Sequence, residues 1–292
     1  MRQRLLGSLF VVAGGLLPAL IGGPIFAVLL LLLGIGGYRE YLALATRAGA
    51  ADDRLARATG SLIIGAFGVV PLISGGDVPL FGIVACAVGA PMVLLLSRTA
   101  DAGSFTNWSL WSAGMLYLGL PIYAGVSVRS LPGTVQAEWL AHTAASLSLG
   151  WEAAPRGLAW ALTAILATWI GDSAAYLGGR RFGRHKLAPK VSPGKTFEGA
   201  LFGLAGSALI AGMTFASFGL GPWHLGLVAG GMLGIAGQLG DLSESFLKRQ
   251  AGVKDSGTLI PGHGGILDRI DALLFAFPVA LILATGLERL GL

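Results

Sequence analysis

The sequence predicts an all-α, polytopic membrane protein with about nine transmembrane helices and a cytoplasmic N-terminus. Of its 292 residues, 54% are hydrophobic and only 12% charged, about half the roughly 25% charge of soluble domains. The apolar residues fall in runs long enough to cross a hydrocarbon core of roughly 30 Å as helices. The basic residues lie almost all on one side of an alternating topology, as the positive-inside rule requires. No long polar stretch is left for a separate soluble domain, so a water-soluble fold is excluded.

The expected spans, in order, are 5 to 21, 24 to 45, 60 to 75, 79 to 97, 108 to 127, 157 to 178, 199 to 220, 223 to 247 and 270 to 290. Arg2 and Arg4 ahead of the first run imitate a secretory leader, but no small-residue cleavage site follows, so this run is expected to stay as a helix. Gly22, Gly23 and Pro24 turn the chain between the first two spans, and Gly219 to Pro222 do so between the seventh and eighth. The connection from about 128 to 156, with Trp139, His142 and Trp151, is the longest external one; it is expected along the interface and carries no assigned chemistry. Gly231, Gly234 and Gly237 space small residues at helical intervals in the eighth span, which permits close helix packing. The whole is read as one membrane unit, residues 1–155 forming its N-terminal helices and external connection and 156–292 its catalytic region with cytoplasmic loops.

Of the 20 basic residues, all but Arg129, Arg156 and Arg289 fall on the cytoplasmic side of this topology. Insertion orientation and two basic loops therefore explain the net charge of +5, and nucleic-acid binding is not needed. The single cysteine, Cys86, rules out an internal disulfide and is expected as a small buried apolar residue.

Chemistry concentrates near the cytoplasmic ends of the last four spans, where Asp172, Glu198, Asp241, Glu244, Asp255, Asp268 and Asp271 lie. Hard oxygen ligands suit Mg²⁺, which takes one or two protein carboxylates and completes its shell with water and phosphate oxygens. Asp268 and Asp271, three residues apart at a helix start, can share one face, and Asp241 reaches the same end from the preceding helix. The competing reading is solvated helix-end charge, with Asp268 and Asp271 favoured by the N-terminal dipole. An aspartate inside an apolar helix is costly, and Asp241 tips the balance toward function.

The connection between the last two spans carries Lys248, Arg249, Lys254 and Asp255, then Pro261, Gly262, His263, Gly264 and Gly265. Its cations can neutralise a polyphosphate, and its glycines let backbone N–H groups approach the oxygens. His263 is open between ligand, phosphate donor, proton carrier and structural hydrogen bonder. A second basic loop follows the sixth span: Arg180, Arg181, Arg184, Lys186 and Lys190 lead into Ser192-Pro193-Gly194-Lys195-Thr196 and Glu198. A topology-setting loop accounts for the charge alone; hydroxyls and an ammonium ahead of a helix N-terminus point further, to an anion. No P-loop is present, since the strand and earlier glycine it requires are missing. His185 is expected as an interfacial cation or hydrogen bonder, and His142 and His224 as incidental.

Ser245, Leu247, Lys248, Arg249, Lys254, Asp255, Gly257, Ile260, Pro261, His263, Gly264, Gly265, Ile266, Asp268, Arg269, Ile270 and Asp271 resemble the phosphatidate cytidylyltransferase signature throughout its spacing. The chain thus looks like a member of the CDP-diacylglycerol synthase family. Asp172 to Tyr176 and Ser192 to Thr196 with Glu198-Gly199 resemble it too, so the match covers roughly the C-terminal 120 residues. The N-terminal half resembles the family only in its hydrophobicity and in Arg39-Glu40 ahead of a basic loop. Arg184 stands where the family more often has Lys, a change that keeps the charge but alters anion geometry.

The resemblance implies transfer of a cytidylyl group from CTP to phosphatidic acid, with release of pyrophosphate. It implies Mg²⁺ at Asp241, Asp268 and Asp271, with a second cation as an option, and a homodimer; the short chain without a targeting extension leads us to expect a bacterial cytoplasmic membrane, and the charge topology turns the site to the cytoplasm. The catalytic residues are then Asp241, Asp268, Asp271, Lys248 and His263. Lys248, Arg249, Lys254 and Arg269 become candidates for the triphosphate, and Arg180, Lys190, Ser192, Lys195 and Thr196 for either substrate's phosphate. Asp172, Asp255, Gly264 and Gly265 add substrate contacts. Two other readings stand beside this one: a related CTP-dependent lipid kinase or cytidylyltransferase for another lipid, and an ion-coupled transporter using Asp172 and Asp241.

Overall fold

The computed structural model describes residues 14–74, 78–97, 103–146, 154–257 and 264–291. Eight helices in it are long and apolar enough to cross a membrane. The expected first span, 5 to 21, lies largely outside the described residues; its end, 14–21, is helical and is called α1 here.

After the break at Gly22 come α2 (Gly23–Arg47), α3 (Arg54–Ile73), α4 (Val78–Leu96) and α5 (Ser104–Arg129). α6 (Glu138–Ser146) is short, and α7 (Arg156–Phe182), α8 (Phe197–Phe218), α9 (Trp223–Gln250) and α10 (Leu267–Arg289) complete the chain. The helices outrun the apolar runs because polar residues cap and extend them. α3 begins six residues before the expected span, where Asp53 accepts a hydrogen bond from the N–H of Ala56 at 2.9 Å.

Two short ribbons join these helices. β1 (Thr134–Val135) pairs antiparallel with β2 (Ala154–Pro155) in the expected external connection, and β3 (Lys186–Ala188) pairs antiparallel with β4 (Ser192–Thr196) in the second basic loop. The first of these connections is docked, because the indole N–H of Trp139 donates to the Ser217 carbonyl at 2.8 Å and its ring stacks on Phe218.

α7, α8 and α9 pack side by side, and α10 lies against α9, α7 and the N-terminal helices α2 and α5. Small residues bring α8 and α9 together. A β-carbon at Gly230 would stand 2.3 Å from the Ser207 carbonyl oxygen, and one at Gly226 2.6 Å from that of Ala211. The contact face is therefore Gly226, Gly230 and Gly234, whereas Gly231 meets only Leu204 at 3.9 Å. Polar side chains add inter-helix bonds: Ser207 donates to the Ala167 carbonyl at 2.8 Å, and the Thr163 and Thr214 hydroxyls meet at 3.0 Å. Gly219 ends α8 in the left-handed region at φ 69°, so the α8–α9 hairpin turns where the sequence places it. Cys86 corrects an expectation: it is exposed on α4 rather than buried.

Candidate active site

At the end of the molecule where the basic loops gather, a cavity of about 500 Å³ opens between α7, the β3–β4 hairpin, α9 and α10. Every wall brings at least one charged group. α7 supplies Asp172 and, two turns further on, Arg180; α9 supplies Asp241; α10 supplies Asp268 and Asp271. β4 supplies Ser192, Lys195 and Thr196.

The close approach of α9 and α10 has a backbone cause. A β-carbon at Gly240 would lie 2.2 Å from the Asp271 carbonyl oxygen, so only glycine lets the helices touch there. Asp241 and Asp271 consequently line the same cavity. Across it the Lys195 ammonium sits 2.8 Å from the Asp241 carboxylate. Lys195 is placed by the hairpin and by the start of α8, where Thr196 accepts the Gly199 N–H at 3.1 Å as the N-cap. Glu198 locks the hairpin from below, accepting the N–H groups of Arg184 at 3.0 Å and His185 at 3.2 Å and contacting the His185 Nδ1 at 2.6 Å. His185 is thus the hydrogen bonder expected.

Asp268 differs from its neighbours because both of its oxygens are engaged. Its Oδ1 binds the Lys248 ammonium at 2.5 Å, and its Oδ2 accepts the N–H groups of Ser256 at 2.9 Å and Gly265 at 2.8 Å and lies 2.8 Å from the Ser256 hydroxyl oxygen. Lys248 also meets Glu244, whose side chain is 1% exposed, at 2.5 Å. Lys248 thus faces two carboxylates, and the Gly265 N–H is directed at a carboxylate of the chain itself. Gly264 has φ 79°, and a β-carbon there would stand 2.7 Å from Asp268.

The other predicted residues fall outside this wall. Arg249 ties the hairpin to α9, donating to the carbonyls of Val191 at 3.1 Å and Val253 at 3.0 Å. Lys190, Lys254, Asp255 and Arg269 are exposed and do not line the cavity. His263, with Pro261 and Gly262, lies outside the described residues. Sequence reasoning gave no role to Glu244, Gln238 or Ser256. Glu244 carried a signal, since it stands one helical turn before Lys248; Ser256 joins the site only through the fold.

Among the described residues no three His, Cys, Asp or Glu side chains form a self-contained metal centre. The donor chemistry still fits Mg²⁺ that draws part of its shell from substrate phosphates, because Asp241 and Asp271 share a cavity and a divalent ion needs only one or two protein carboxylates. Asp268, already surrounded by donors, fits that role less well than its spacing suggests.

A polytopic membrane fold with a cavity of about 500 Å³ lined by both acidic and basic side chains defines a class: integral membrane enzymes with a charged site among their helix ends. Within it, a family model described as "Cytidylyltransferase family" matches residues 2–286, and the chain belongs to that family. It is 37% identical over 202 residues to a phosphatidate cytidylyltransferase of Staphylococcus saprophyticus, covering 67% of this chain and 77% of that protein. It is 50% identical over 129 residues to one of Staphylococcus haemolyticus, covering 44% of this chain and 49% of that one. With one of Staphylococcus aureus the identity is 47% over 135 residues, covering 46% and 52%. The chain thus spans about half the length of these last two relatives in the matched regions.

Proposed function

We propose that this protein transfers the cytidylyl group of CTP to phosphatidic acid, giving CDP-diacylglycerol and pyrophosphate for phospholipid synthesis. The observation that carries the reading is the convergence of Lys195, Asp241, Asp271, Asp172 and Arg180 on one cavity at the boundary end of the spans. Family membership and the names of the relatives support it.

The reaction joins two anions. A phosphatidate oxygen attacks the α-phosphorus of CTP in line and pyrophosphate departs. The phosphomonoester is already ionised near neutral pH, so no strong general base is required. The chain's work is to hold two phosphates in register and to offset charge on the oxygens. Lys195 from β4 and Arg180 from α7 supply positive charge to the cavity. The start of α8 adds the positive end of a helix dipole beside them. Bare carboxylates would repel both substrates, so Asp241, Asp271 and Asp172 belong in such a cavity as the holders of Mg²⁺, with a second cation as an option. When bound, that ion neutralises the phosphorus oxygens and the leaving pyrophosphate. Lys248 and Glu244 brace Asp268, and Asp268 in turn holds the chain at Ser256 and Gly265.

CTP reaches the cavity from the cytoplasm, and the lipid enters laterally with its acyl chains left in the bilayer. The one-sided distribution of basic residues supports this orientation, and the Staphylococcus relatives support a bacterial cytoplasmic membrane. The homodimer rests on the family resemblance alone.

The test is an assay of purified protein in detergent with Mg²⁺, radiolabelled CTP and phosphatidic acid. A labelled CDP-lipid with stoichiometric pyrophosphate is expected. A labelled lipid lacking cytidine would make it a kinase, and ion flux lost in Asp271→Ala without any lipid product would make it a transporter.

A further inference from the structure

α10, which carries Asp268 and Asp271, begins without a cap of its own. Its N-cap residue, Ile266, is apolar and makes no side-chain capping bond, leaving N–H groups that need an acceptor. The acceptor comes from the other half of the chain. Glu40, near the end of α2, takes the N–H of Ile266 on Oε1 and that of Leu267 on Oε2, both at 2.9 Å. Its Oε2 also accepts the Ser256 hydroxyl at 2.9 Å, and the same hydroxyl lies 2.8 Å from Asp268 Oδ2.

Two glycines of the signature segment make room for this carboxylate. A β-carbon at Gly257 would stand 2.5 Å from Glu40 Oε1, and one at Gly265 would stand 2.3 Å from Oε2. A carboxylate on a membrane-spanning helix is costly unless its oxygens are satisfied. Here two backbone N–H groups and a hydroxyl satisfy them at the positive end of a helix dipole.

We propose that Glu40 is a positioning residue for cytidylyl transfer: it caps α10 across the fold and, through Ser256, orients Asp268. It thereby sets how far α10 advances Asp271 into the cavity. The inference rests on the proposed function for its kinetic part and on geometry alone for the cap.

Full-length protein in detergent carrying Glu40→Gln, Glu40→Asp, Ser256→Ala or Glu40→Gln with Ser256→Ala provides the test. Glu40→Gln keeps the volume of the side chain but turns an amide N–H₂ toward a backbone donor. We expect kcat to fall about 10- to 100-fold while KM for CTP changes less than about threefold, the signature of lost transition-state positioning. Glu40→Asp should recover part of the loss. The double variant should be little worse than the poorer single variant, because both residues belong to one bonded group that holds the start of α10. Amide exchange at Ile266 and Leu267 should accelerate at least about tenfold in Glu40→Gln whatever the substrate.

Wild-type kinetics in Glu40→Gln, unchanged exchange at those amides, or strictly additive losses would overturn the proposal. So would a lowered melting temperature with full activity per folded molecule. Faster exchange in a protein whose wild type makes no CDP-lipid would sink the proposed function and uphold the cap.

Discussion

Lys195 and Asp241 meet at 2.8 Å across the cavity, one carried by a two-stranded ribbon and the other by a long helix. Neither segment adjoins the other in sequence, so the pair joins the two basic loops into one site. Lys195→Met should lower kcat/KM for CTP and phosphatidic acid by about 10²-fold or more, since it removes a fixed charge aimed at developing negative charge. Lys195→Arg should recover only part of this, because a planar fork does not reproduce an ammonium. Steady-state kinetics on the lipid product checks both.

Asp268 and Asp271 should part company when replaced. Asp268→Asn breaks a contact with Lys248 whose side chains are only 11% and 10% exposed. Lys248 keeps Glu244 as a partner, but the amide cannot accept from Lys248 and from the Ser256 and Gly265 N–H groups at once, and a buried donor left without its acceptor costs about 1–3 kcal/mol, so this variant should melt several degrees lower even without Mg²⁺. Asp271→Asn should leave metal-free melting within about 2 °C of wild type but abolish detectable turnover and weaken Mg²⁺ activation. Thermal melts with and without EDTA separate the two effects.

Gly240→Ala and Gly231→Ala form a matched pair on α9. The first places a methyl 2.2 Å from the Asp271 carbonyl oxygen and must drive α9 from α10; the second meets only Leu204 at 3.9 Å. Gly240→Ala should lose activity and stability together. Gly231→Ala should be neutral or raise stability by up to about 1 kcal/mol through helix propensity. Melting curves and turnover on both proteins decide it.

Arg249 was legible as a cation near phosphate, yet its guanidinium bonds two carbonyls, those of Val191 and Val253. Arg249→Ala should raise KM for CTP by less than about tenfold, as expected for a hairpin tether exposed to solvent. A loss as large as that of Lys195→Met would show that Arg249 meets substrate itself.

Much of the site could be read from spacing because helical geometry is local. The interval between Asp268 and Asp271, the turn at Gly219 and the N-cap at Thr196 each depend on residues within a few positions. The same is true of spans, since crossing a bilayer needs only a sufficient apolar length. What spacing misjudged was the destination of donors. Gly264 and Gly265 suggested backbone N–H groups for phosphate; in the fold the Gly265 N–H goes to Asp268, and the missing side chain of Gly265 leaves the seat of Glu40. A glycine records that space is needed without recording for what.

Glu40 marks the division most sharply. The sequence alone determines that this is a helical membrane protein and which ends of its spans bear the charge, and its spacing gathers Asp241, Asp268 and Asp271 near one of those ends. It shows Glu40 only as part of Arg39-Glu40 ahead of a basic loop, with no partner indicated. Only the packing of α2 against α10 brings it to Ile266 and Leu267, 226 and 227 positions away. Hydrogen bonds act over about 3 Å in space, and a partner that distant in the chain is chosen by tertiary contact, which local patterns of residues do not encode.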